Sequence, residues 1–134
     1  MLAKKQFDPV PREVEELASK TVEAAFRVHR TLGPGLLESV YEAALCHELP
    51  KMGVCFAQQM VLPVKYDGLL LPAGLRLDLW VNRQIVIEIK SVERVLPVHK
   101  AQLLTYIKLS ESRLGFLLNF NVARLKDGIT RMVL

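Results

Sequence analysis

The chain has 134 residues, 51% of them hydrophobic and 24% charged, with 18 basic against 14 acidic side chains and a formal net charge of +4. That is enough for one domain with a buried core, and it excludes wholesale disorder, while two cysteines are too few for a disulfide framework and no run approaches the ~18 apolar residues of a membrane span. Charge is uneven: residues 1–75 carry 8 basic and 9 acidic side chains and residues 76–134 carry 10 and 5, so the field that attracts polyanions belongs to the C-terminal half.

Residues 1–11, with Pro9 and Pro11, read as a loose N-terminal arm before a single domain over 12–134. No apolar leader opens the arm, so the cytoplasm is the expected compartment and no membrane partner is expected. From Arg12 to about Thr31, apolar residues recur at Val14, Leu17, Ala18, Thr21, Val22, Ala25, Val28 and Leu32, predicting a helix with one buried stripe. Gly33-Pro34-Gly35 breaks it. Leu37, Val40, Tyr41, Ala44, Leu45 and Met52 restart helical spacing until Gly53. Within and after this helix, Cys46, His47 and Cys55 lack the second ligand pair that a zinc site requires.

The period then changes to two. Val54 to Tyr66 is rich in strand formers, and Asp67-Gly68 turns the chain into Leu69 to Leu71. Leu75, Leu77, Leu79 and Val81 alternate with Arg76, Asp78 and Trp80, and Ile85, Ile87 and Ile89 alternate with Val86, Glu88 and Lys90, predicting two strands. Pro97 opens a third helix to about Leu109, with Val98, Ala101, Leu104, Thr105 and Lys108 at helical spacing. Arg113 to Val122 reads as a buried strand, and Asp127-Gly128 leads into a last one over 129–134.

A three-residue connection, Asn82 to Gln84, sets Asp78 directly opposite Glu88, whereas an even-length one turns the two carboxylates to opposite sides. Glu88 and Lys90, two apart, share a face. Two carboxylates a few ångströms apart repel unless a hard divalent cation or Lys90 neutralises them. An exposed hairpin with a cross-strand ion pair offers the same residues without chemistry, so this triplet alone does not decide. His99, Gln102 and Tyr106 line a polar stripe on the third helix, a pattern that an ordinary solvated face also shows. Glu38 and Tyr41 share one side of the second helix, where Glu38 equally suits the positive helix end.

Taken together and in order, Gly35, Glu38 and Tyr41, then Asp78, Glu88-Ile89-Lys90, and then Gln102-Leu103-Leu104-Thr105-Tyr106 resemble the GxxExxY family, a small branch of the PD-(D/E)xK nuclease superfamily, from about Val14 to Met132. The resemblance implies an α/β, restriction-endonuclease-like fold, a mixed β-sheet flanked by α-helices. It implies metal-dependent hydrolysis of phosphodiester bonds in nucleic acid, with DNA the expected partner. Asp78, Glu88, the backbone carbonyl of Ile89 and Glu38 would hold Mg²⁺ or Mn²⁺, and Lys90 would orient or deprotonate the attacking water. Gln102, Tyr106, Tyr41 and His99 would contact substrate. A duplex cutter needs two sites, which makes a homodimer the corresponding assembly. A catalytically silent nucleic-acid-binding or assembly module on the same scaffold is the alternative, and metal-dependent turnover separates the two.

Overall fold

The computed structural model describes residues 8–134, the side chain of Ala73 excepted. Helices α1 (Arg12–Leu32) and α2 (Glu38–Lys51) precede strands β1 (Phe56–Tyr66), β2 (Leu69–Val81) and β3 (Ile85–Lys90). Helix α3 (Pro97–Leu109), β4 (Leu114–Asn119), a 3-10 turn (Leu125–Gly128) and β5 (Ile129–Val133) follow. The strands form one five-stranded sheet in chain order, antiparallel except where β4 runs parallel to β3. That exception follows from α3, because a helical crossover carries the chain back to start a second strand in the same direction.

Alternation sends Ile85, Ile87 and Ile89 of β3 and Leu114, Phe116 and Leu118 of β4 into a core shared with α1 and α2, while Val86 and Leu117 join Leu103 and Ile107 of α3. Helices therefore cover both faces of the sheet, the α/β arrangement that the resemblance implied. Coverage on both sides is why β3 and β4 are nearly continuous apolar runs. Helix α3 lies close to the sheet over Gly115, where a Cβ would stand 2.6 Å from Ile107 Cδ1 and 3.0 Å from Leu103 Cδ1.

Packing revises several expectations. In α1 the buried stripe includes Ala24 and His29, and Leu32 is exposed. In α2 the buried residues are Tyr41, Leu45 and Leu49, with Leu37 and Val40 outside. In α3 they are Leu103 and Ile107, whereas Val98, Ala101, Leu104 and Thr105 face solvent. Both shorter helices carry apolar residues on more than one side, so spacing leaves their rotation open and contact with the sheet decides it. The strand expected over 113–122 stops at Asn119, whose side chain bonds the N–H and the carbonyl of Val92, both at 3.0 Å. Of the expected arm, residues 1–7 lie outside the described residues, and the carbonyls of Asp8 and Pro9 accept hydrogen bonds from Arg113 at 2.6 and 3.3 Å.

Candidate functional site

The turn between β2 and β3 fixes the register of the two carboxylates. Asn82 and Arg83 take φ values of 51° and 55°, and Gln84 N–H donates to Val81 O at 2.9 Å. Leu79 then pairs with Ile87, Trp80 with Val86 and Val81 with Ile85. One step further along this register, Asp78 stands opposite Glu88, the outcome of odd loop parity. Backbone pairing ends there and the side chains take over: Asp78 Oδ2 accepts Ile89 N–H at 2.8 Å, and Glu88 Oε2 accepts Asp78 N–H at 3.2 Å. Each carboxylate thereby caps the opposite strand.

A kink in β1 and β2 accompanies this parting. Leu77 packs on the α3 side of the sheet and Leu79 on the other, although residues two apart on a regular strand share a face. Across from Asp78, Gln59 adopts a left-handed φ of 52°, a conformation uncommon for a residue with a Cβ. Its Nε2 donates to Glu42 Oε1 at 2.7 Å and to Asp78 Oδ1 at 3.4 Å. Gln58 Nε2 holds the other Glu42 oxygen at 2.7 Å.

Glu88 is only 5% exposed. Burial, reinforced by the Asp78 charge, pushes its carboxyl up to about 8 from 4.5, with the Asp78 N–H and Lys90 opposing and Glu38 adding to the rise. Asp78 is also raised, chiefly by burial, while the Ile89 N–H opposes and Glu42 adds to it. The anionic forms of both groups are thus disfavoured in the protein alone, the condition that a bound cation relieves. Lys90 is half-buried and forms no ion pair among the described residues.

Among the described residues Glu88 Oε1 has no hydrogen-bond partner and no buried side-chain oxygen is unpartnered, so this oxygen is not fully enclosed. Two carboxylates on adjoining strands are hard oxygen donors of the kind Mg²⁺ takes together with water. Among the described residues no third acid, His or Cys converges to close a preformed cage. Mg²⁺ commonly binds through one or two carboxylates plus water and phosphate, so the donor set fits that ion.

Glu38 opens α2 and its Oε2 lies 3.4 Å from Ser91 N, directly beyond Lys90. It borders a cleft of about 640 Å³ together with Leu36, Leu37, Glu42, Arg76 and Asp78. A second hollow of about 380 Å³, between α1 and the sheet, contains the Arg131 and Glu15 pair and none of these groups.

Not all expected residues meet here. Gln102 Nε2 donates to Tyr106 Oη at 2.8 Å, and both are half-buried on α3 with no hydrogen bond to the carboxylates. His99 Nδ1 instead accepts Leu96 N–H at 3.0 Å and caps the start of α3. Tyr41 is fully buried, stacked on Phe120 with ring centres 4.5 Å apart, so the substrate contact expected of it is replaced by a structural one. Conversely, Glu42, Gln59 and Arg76 border the site without having been singled out. Glu42 was within reach of sequence reasoning, four residues after Glu38 on one helical face, and Arg76 lies two before Asp78. Nothing in a strand pattern announces a left-handed Gln59.

The family described as the PD-(D/E)XK nuclease superfamily matches residues 15–132. No curated protein and no solved structure matches the chain.

Proposed function

The chain belongs to the PD-(D/E)XK nuclease superfamily, and on that premise we propose that it hydrolyses phosphodiester bonds in DNA with Mg²⁺ or Mn²⁺. The spacing of Gly35, Glu38 and Tyr41 supports a place in the GxxExxY branch. The observation that carries the reading is the pair of opposed, cross-capping carboxylates, Asp78 and Glu88, whose burial disfavours their charged forms in the protein alone.

Asp78, Glu88 and the Ile89 carbonyl would hold the ion, with Glu38 completing its surroundings directly or through water. When bound, such an ion polarises the phosphate and lowers the pKa of a coordinated water. Lys90, on the same strand as Glu88, orients the attacking water and offsets the charge that develops on the phosphate. Gln102 and Tyr106 offer an amide and a hydroxyl to a phosphate oxygen, and the basic C-terminal half draws the strand in. Tyr41 and His99 act through the fold. Cutting both strands of a duplex would take a twofold homodimer, whereas a single strand needs one site. Both cysteines are free, in keeping with a cytoplasmic protein, and no described helix is long and apolar enough to cross a membrane.

The test is cleavage of labelled DNA in Mg²⁺, Mn²⁺ and EDTA. The proposal expects products with either metal, none in EDTA, and none from Asp78→Asn or Lys90→Ala. Retention of DNA that weakens with salt, without cleavage in either metal, would instead identify a silent binding module.

A further inference from the structure

The turn between α1 and α2 is fixed from two directions. Tyr41, fully buried, donates its hydroxyl proton to Gly33 O at 2.6 Å and accepts Leu36 N–H at 3.1 Å. Ser91 Oγ, next to Lys90 at the exit of β3, donates to Leu36 O at 2.6 Å. Gly35 supplies a φ of 98° that other residues rarely adopt. Both backbone polar groups of Leu36 are therefore occupied, one anchored in the core and the other on the segment that carries Glu88-Ile89-Lys90.

This frame presents Leu36, Leu37 and Val40 to solvent beside the likewise exposed Glu38 and Ser39. Leu36 is 39% exposed, Leu37 73% and Val40 40%, and none of them joins either core cluster. Single exposed leucines are ordinary. Three apolar residues within five positions are a different matter, because two of them, Leu36 and Leu37, line the cleft that Glu38 and Asp78 also border. A phosphodiester drawn to Asp78 and Glu88 brings its flanking nucleotides to this rim. The apolar surface of a nucleotide is the face of its base, which neighbouring bases cover in a continuous duplex and which is free where a strand is unpaired.

We propose that Leu36 and Leu37 form an aliphatic wedge that packs against an unstacked base beside the scissile phosphate, and that the substrate is single-stranded or locally unpaired DNA. This rests on the nuclease reading and deepens it. Insertion of such a wedge into an intact duplex must first separate stacked bases, a penalty that an unpaired strand avoids. Arg76, at the same cleft, remains for a flanking phosphate.

The experiment compares kcat/KM in Mn²⁺, at one salt concentration, for a single strand, its perfect duplex and the same duplex with a short central mismatch bubble. Wild type is expected to cut the single strand and the bubble about tenfold or more faster than the perfect duplex. Leu37→Ser should bring these ratios close to one, with thermal melting and Mn²⁺ affinity retained because the side chain is exposed and holds no ion. Leu37→Met should keep the preference. Equal cutting of all three forms by wild type, or an unchanged ratio in Leu37→Ser, would overturn the wedge while leaving the nuclease intact. If wild type cuts none of the three, the nuclease reading fails and the wedge falls with it.

Discussion

Replacing Glu88 by Gln keeps the side chain's size and an oxygen able to accept the Asp78 N–H, now at 3.2 Å, while removing the ionisable proton. In the wild type this carboxyl is held near 8, against 4.5 for a free one, by burial and by the Asp78 charge. Between those values the folded chain keeps the proton and the unfolded chain has released it. The contribution of this one proton is therefore full below about 4.5 and declines as pH rises toward 8. At about 1.4 kcal/mol per unit, the decline is on the order of 3 to 5 kcal/mol, a large part of the roughly 5–15 kcal/mol available to an ordinary domain. Glu88→Gln lacks this contribution, so its stability should fall less than that of the wild type over the same window, the raised Asp78 carboxyl remaining in both. Denaturant unfolding in EDTA at a series of pH values should show the variant overtaking the wild type by several kcal/mol at mildly alkaline pH. Mg²⁺ or Mn²⁺ added there should stabilise the wild type and leave Glu88→Gln unchanged. Parallel stability curves for the two proteins would refute the reasoning, as would a variant less stable than the wild type at alkaline pH without metal.

Calorimetric titration should find Mn²⁺ binding abolished in Asp78→Asn and weakened about tenfold or more in Glu38→Gln, the order expected for an outer-shell partner. Unchanged affinity in Glu38→Gln, with only about 0.3–1 kcal/mol of lost stability, would reduce Glu38 to a partner of the helix dipole. Tyr41→Phe strips Gly33 O and Leu36 N–H of their shared partner and should cost about 1–3 kcal/mol in denaturant melts. Gly115→Ala drives a methyl into Ile107 and Leu103 and should cost about 1–3 kcal/mol, because those side chains are already enclosed.

The parts of the site that were legible in the sequence are those governed by strict periods. Alternation between Leu75 and Lys90 marks two strands, although the buried face reverses between Leu77 and Leu79, and the odd connection of Asn82 to Gln84 fixes Asp78 opposite Glu88, in line with the pairing of Leu79 with Ile87. Helix rotation was less legible. Val98, Ala101 and Leu104 form as regular an apolar series as Leu103 and Ile107, and only contact with Gly115 and the sheet selects the second. Tyr41 illustrates a different limit, since a tyrosine near a charged cluster suits substrate and structure alike until burial distinguishes them. Gln59 lay beyond reach altogether. Its backbone is set by the kink that moves Leu77 and Leu79 to opposite faces, a tertiary feature with no local signature.

The cation site itself is tested most directly by anomalous diffraction from a crystal equilibrated with Mn²⁺. A peak is expected about 2.0–2.3 Å from one oxygen each of Asp78 and Glu88 and from the Ile89 carbonyl. A crystal saturated with Mn²⁺ that shows no peak between Asp78 and Glu88, or shows Mn²⁺ only at other residues, would contradict it.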